Sequence, residues 1–179
     1  MKRVVTQRTA DGRSVFWAAG EAEGHQFEHI PGMNLTLLWR TPAVPDLNMP
    51  LSEPVRGTSL IPEPGGTLFE MLVIPPDHVM MSPSFDPVAA AEENLRWAPG
   101  VAETFEVEDP GMHTTNSVDY GIVMSGEIWL ELDEGRTEHL RAGDVIIQNG
   151  TRHAWRNRGD VPVRMIFILI GARPFTAAA

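Results

Sequence analysis

Two histidines stand in matching surroundings: His113 opens the stretch MHTTNSVDYGIVMSG (112–126) and His153 lies near the end of GDVIIQNGTRHAWRN (143–157). Both stretches read as extended runs closed by glycine turns. Strand side chains repeat every second residue, so His113, Thr115, Ser117 and Asp119 fall on one side of the first run. His153, Trp155 and Asn157 share a face in the second. Two imidazoles and one carboxylate brought together from two strands make either a small metal centre or a polar pocket inside a barrel. In the metal reading, His113, Asp119 and His153 hold one divalent ion with open positions. That donor set suits Fe(II) and admits Zn, Ni or Mn. In the metal-free reading, His153 and Asp119 do acid–base work, because imidazole titrates near neutrality. Thr115 is placed to hydrogen-bond a metal-bound water or a substrate and joins the candidate catalytic set. Trp155 reads as a flat pocket wall, with Ser117 and Asn157 as further ligand-contacting candidates, since organic-ligand sites combine aromatic walls with a few polar groups.

The elements that must position these residues are short strands. Fifteen prolines and sixteen glycines cut the chain into pieces, as in an all-β domain with many turns. Residues 14–19 and 33–40 predict strands, separated from the rest by the Pro-rich segments TPAVPDLNMPLSEP and IPEPGG. TLFEMLVIP (67–75) is a stronger strand candidate. From His113 onward the pattern predicts strands over 120–124, 128–132, 137–140, 145–148, 153–157 and 163–170, the spacing of a sandwich or barrel. One helix is predicted over Pro87–Trp97, with Asp86 as N-cap, Pro87 in the first turn, and Val88, Ala91 and Leu95 as its apolar stripe. It is placed either over the barrel mouth or packed outside. Alternation turns Ile128, Leu130 and Leu132 inward and Trp129 outward, which calls for a covering element or subunit.

Composition narrows the function. Fourteen basic and 24 acidic side chains give a net charge of −10 over 179 residues, which disfavours nucleic acid and anionic membranes as partners. There is no cysteine, so thiolate ligands and nucleophiles are excluded, and a cytoplasmic setting is expected. The start MKRVVTQRTADG has no apolar core of signal-peptide length. The remaining histidines are read as peripheral: His25 and His29 in a surface loop, His78 and His139 exposed. The acidic segment Glu103–Asp109 is read as a solvated face.

The two histidine stretches resemble the two motifs of the cupin superfamily. In the first, His113, Thr115, Asp119 and Gly126 match the positions of His-x-His, an acid and a closing glycine. In the second, Gly143, Gly150, His153 and Asn157 match, and sixteen residues separate the motifs. The resemblance covers roughly residues 67 to 171 and implies an all-β fold: a double-stranded β-helix, or jelly-roll barrel, with an N-terminal extension and one short helix. On that reading residues 67–179 form the barrel, and residues 1–66 pack on it as strands and Pro-rich loops. Cupins generally hold a divalent metal with three His and one Glu. Here Thr115 replaces the second histidine, and Asp119, one methylene shorter than Glu, falls short of a metal unless the strand shifts or water intervenes. The glycine that leads the first motif is also missing at Val107, and the turn at Asn149–Gly150 lacks the usual proline.

The function implied is a small-molecule metalloenzyme acting on a carbonyl- or carboxylate-bearing organic substrate, of oxygenase, decarboxylase, lyase or isomerase type. Two alternatives stay open: a metal-free acid–base enzyme resembling cyclases or dehydratases of polyketide pathways, and a non-catalytic small-molecule binder. No helix-turn-helix pattern precedes the barrel. A homodimer is expected, through sheet edges, the N-terminal segment and the outward Trp129.

Overall fold

Alternating burial and glycine turns shape the regular structure, which is almost entirely antiparallel strands. The structure, a computed structural model, describes residues 1–176. In chain order the elements are β1 (Lys2–Arg8), β2 (Ser14–Glu21), β3 (His25–Gln26), β4 (Asn34–Thr41), β5 (Thr67–Ile74), α1 (Pro87–Trp97), β6 (Ser117–Ser125), β7 (Glu127–Glu131), β8 (Thr137–Arg141), β9 (Val145–Asn149), β10 (Ala154–Arg156) and β11 (Val163–Gly171). A six-stranded sheet runs β3-β4-β5-β11-β6-β9 and a three-stranded sheet runs β10-β7-β8. β1 and β2 pair as a separate ribbon.

The two larger sheets face each other. β11 turns Val163, Met165, Phe167 and Leu169 inward, and β6 turns Ser117, Asp119, Gly121 and Val123 inward. These meet Ile128 and the partly buried Leu130 and Leu140 of the smaller sheet in one core. The fold is thus all-β, a double-stranded β-helix with one helix. The tight β6–β7 connection turns at Gly126 (φ +82°), where a Cβ would come within 3.0 Å of the Val163 side chain. Among the described residues no helix is long and apolar enough to cross a membrane.

The N-terminal third contributes strands to the large sheet. β4 pairs with β5 from Asn34↔Val73 to Thr41↔Thr67, so the strands on either side of residue 66 belong to one sheet. The β1–β2 ribbon is tied to β4 by Arg3, whose Nη1 donates to the Leu38 carbonyl at 3.0 Å, and by an edge-on contact of Trp17 with Trp39.

The helix forms where predicted, but with a different face inward. Asp86 Oδ1 accepts from the Val88 and Ala89 N–H groups at 3.0 and 3.1 Å. The expected stripe of Val88, Ala91 and Leu95 is exposed, and Ala90 and Glu93 are buried instead. The reason is polar. Glu93 accepts from the backbone N–H groups of Glu28 and His29 at 2.9 and 2.8 Å and pairs with His25 Nε2 at 3.0 Å. The His25 ring stacks on Trp97 at 4.0 Å. GHQFEHIPG is therefore the docking segment for α1, not a free surface loop.

Trp129 departs from expectation too. The ring of His139, its cross-strand partner, stacks on it at 4.2 Å and 4°, and the Arg158 guanidinium lies 5.6 Å from its centre. His139, half-buried, is fixed by Glu127 Oε2 at 2.9 Å. The protein covers Trp129 with its own side chains.

Candidate functional site

His113 and His153 belong to no continuous strand, yet they pair with each other. Each N–H donates to the other's carbonyl at 2.9 Å, forming a lone antiparallel bridge between the two sequence stretches. Residues directly opposite in such a pair project to the same face, and here the imidazole centres lie 4.2 Å apart. Each Nδ1 faces a carbonyl two residues earlier, Gly111 at 3.0 Å and Thr151 at 2.9 Å. A carbonyl can only accept, so Nδ1 carries the hydrogen and Nε2 presents its lone pair.

Both rings are more than nine-tenths buried, and burial disfavours imidazolium. Burial pushes His153 down to about 4, the neighbouring His113 adds to the shift, and the Thr151 carbonyl opposes it. His113 is also lowered by burial, against the Gly111 carbonyl and Glu106. At neutral pH the site is a pair of uncharged imidazoles.

Aromatic rings surround the pair. Phe105 lies 4.8 Å from His113, and Trp155 lies 5.7 Å from His153. Trp155 also meets the Phe167 ring of β11 at 5.6 Å. Thr115 and Ser117 are buried beside the pair, where the Ser117 hydroxyl donates to Thr115 Oγ1 at 3.0 Å.

The segment 105–111 crosses this end of the barrel and is clamped by two arginines. Arg152 binds Glu106 at 2.6 Å, Asp133 at 2.8 Å and Asp109 at 2.9 Å. Arg156 donates to Glu131 at 2.5 Å and to the Pro110 carbonyl at 2.7 Å. Glu106 and Asp109 are thus tethers, where the sequence suggested only a solvated face. The clamp sets Gly111, whose carbonyl orients His113. Its φ is +90°, and a Cβ there would lie 2.9 Å from Arg156 Nη1.

Asp119 is buried on the inner face of β6, opposite Gln148. Burial raises its carboxyl to about 6, opposed by the Ser117 hydroxyl, and Oδ1 has no partner. It does not complete a three-residue metal-holding group with the histidines. Among the described residues no three His, Asp or Glu side chains stand together as a metal-holding group. The donor set therefore supplies two imidazoles and stops short of a third ligand. The charge that Asp119 acts on is Glu70 of β5, which burial first and Asp119 second push up to about 8, with Arg40 opposing.

Glu70 and Arg40 were missed from sequence. The available signal was an acid at an inward position of the otherwise apolar run TLFEMLVIP. Asn157, expected to contact ligand, is spent on the backbone instead. Its Nδ2 donates to the carbonyls of Ile74 and Val161 at 3.1 and 2.9 Å, and Oδ1 accepts from Gly159 N at 3.1 Å.

Among proteins of similar sequence, the chain is 50% identical over 64 residues to the phomopsin biosynthesis cluster protein C' of Diaporthe leptostromiformis. That alignment covers 35% of this chain and 34% of the relative. It is 34% identical over 100 residues to the oryzines biosynthesis cluster protein J of Aspergillus oryzae, covering 55% and 52%. It is 42% identical over 66 residues to the cupin-domain-containing oxidoreductase virC of Hypocrea virens, covering 35% and 34%. The chain thus spans between about a third and a half of the length of these relatives. Residues 103–169 match the family described as the cupin domain. That match begins ahead of His113, ends within β11 and takes in both histidine stretches, so it is over this part that the chain is similar to the cupin domain.

Proposed function

We propose that the protein is a cupin-fold enzyme acting on a small organic molecule at the His113–His153 pair. The observation that carries this reading is the pair itself: two buried, neutral imidazoles with Nδ1 held by backbone carbonyls and both Nε2 lone pairs free. A carbonyl- or carboxylate-bearing substrate fits it. Trp155 and Phe105 shield the reacting group from water, and His153 Nε2 accepts a proton or a hydrogen bond from it. The names of relatives such as the oxidoreductase virC support an enzyme over a passive binder.

A divalent metal would be held by the two Nε2 atoms, since backbone-tethered Nδ1–H groups are the usual support for ligating histidines. Among the described residues no third donor stands with them as a metal-holding group. The residues do not fit a three-ligand centre. We include in this proposal a cytoplasmic setting, resting on the cysteine-free chain, and a homodimer. Its surface is the outer face of β6 and the edge strand β9, where Tyr120, Met124, Val145 and Ile147 are exposed.

Two measurements test the reading. Protein prepared without a histidine tag is analysed for metals, and a panel of small aldehydes, ketones and carboxylates is screened for binding and turnover with wild type, His113→Ala and His153→Ala. Turnover lost in both variants supports the histidine centre. Stoichiometric metal lost from His113→Ala would instead show that a third ligand is recruited. Activity that survives both substitutions refutes the proposal.

A further inference from the structure

Among the described residues, three buried side-chain polar atoms have no hydrogen-bond partner: Glu70 Oε2, Asp119 Oδ1 and Arg40 Nε. Glu70 and Asp119 are 6% and 7% exposed. Buried polar groups are ordinarily hydrogen-bonded, and each exception needs a cause. Here the exceptions fall together. In the six-stranded sheet Glu70 lies opposite Phe167, and Phe167 lies opposite Gly121 on the other side. Asp119 lies one inward position from Gly121, opposite Leu169. The two carboxyls thus flank β11 from either side. Gly121 leaves room for the Phe167 ring, whose Cε1 would be 3.1 Å from a Cβ there. Trp155 meets the same ring from the facing sheet. The unpartnered carboxyls therefore border an aromatic wall. Arg40, whose Nη2 donates to the Ser59 carbonyl, acts on Glu70 from β4.

The unmet atoms are two carboxyl oxygens and one N–H donor. A carboxylate ligand would set a second negative group beside Asp119. An ammonium would offer nothing for the Arg40 N–H to donate to. A hydroxyl or an amide both donates and accepts, and so answers the whole set. We propose that Glu70, Asp119 and Arg40 form a second subsite of the barrel, which takes the hydroxyl or amide group of an aromatic ligand whose ring lies against Phe167 and Trp155. This rests on the barrel interior being the small-molecule site, and it assigns the end of the ligand remote from the reacting group. The oxygens are enclosed, so entry shifts Glu70 or Phe167, and their backbone amides report it.

The test is a titration of the 15N-labelled full chain with phenol, benzamide and toluene, followed at the amides of Glu70, Gly121 and Phe167 and at the two imidazoles. Phenol and benzamide are expected to move those amides and to bind at least fivefold more tightly than toluene. Glu70→Met abolishes that preference, and the near-isosteric Glu70→Gln, which secures a folded comparison, reduces it at least twofold. Toluene binding as tightly as phenol overturns the proposal, and so does a preference unchanged in the folded variants. Shifts confined to the imidazoles overturn the subsite while supporting the histidine site. Shifts at Glu70 and Phe167 alone support the subsite and count against the histidine centre. No shift with any probe overturns the subsite.

Discussion

Glu70→Gln should remove a pH dependence that the wild-type protein carries above neutrality. In the unfolded chain this carboxyl has its ordinary value of 4.5, and in the fold it is held up to about 8, by burial first and Asp119 second. A raised value means that the folded protein keeps a proton which the unfolded chain has lost. Its contribution is therefore whole below pH 4.5 and is lost as pH rises through about 8. At ~1.4 kcal/mol per unit, the full span is worth about 5 kcal/mol, a large part of the stability of an ordinary domain. The window from pH 6.5 to 8 isolates the effect. His153, lowered to about 4, loses its stabilising contribution only as pH falls from 6.5 toward 4. Asp119, raised to about 6, changes its contribution below that window. Within it the wild-type protein should lose about 2 kcal/mol through Glu70. The glutamine variant cannot ionise and should lose almost none of this. Urea unfolding followed by tryptophan fluorescence at half-unit pH intervals measures both curves. Parallel curves across pH 6.5–8 would refute the claim that Glu70 is buried and protonated in the fold.

Asn157→Ala strips three buried hydrogen bonds from the backbone around Ile74, Gly159 and Val161 and should cost about 2–3 kcal/mol; a loss under about 0.5 kcal/mol in the same assay contradicts the structural role. Arg152→Met releases Glu106, Asp109 and Asp133 together. Amide hydrogen exchange over residues 105–112 should then quicken at least tenfold while β11 is unaffected, and an unchanged rate would mean the segment is held by something else. Light scattering should give twice the 19.8 kDa chain mass, reduced to one by Ile147→Lys with Val145→Lys; a wild-type mass near that of one chain ends the dimer proposal.

Much of this architecture is legible in the sequence because it is local. Val145–Asn149 is bracketed by Gly143 and Gly150, and the helix begins at an aspartate followed by proline; in each case turn or cap chemistry and burial period agree. His113 and His153 come together because the two extended stretches form a bridge at these residues. What was not legible depends on partners far along the chain. The helix buries Glu93, not the apolar Leu95, because N–H donors 64 and 65 residues away need an acceptor. No helical period carries that information. Asp119 illustrates the same limit inside the site. Its face is given by alternation, but whether it meets the histidines or Glu70 depends on how two sheets close over each other.

That closure decides the chemistry of the interior. A low-dielectric enclosure disfavours every charge it is not made to pair, and here it acts in opposite directions on two kinds of group. His153 and His113 are lowered and stand unprotonated at neutral pH, while Glu70 is raised and stands protonated. The chain is strongly acidic on its surface, yet the groups that face each other in the barrel are mostly neutral hydrogen-bonding groups between aromatic rings. An interior of that kind selects against multiply charged substrates, whose desolvation nothing within it would repay. On the proposed reading, its ligands are flat organic molecules whose polar groups meet the imidazoles and the Glu70 carboxyl.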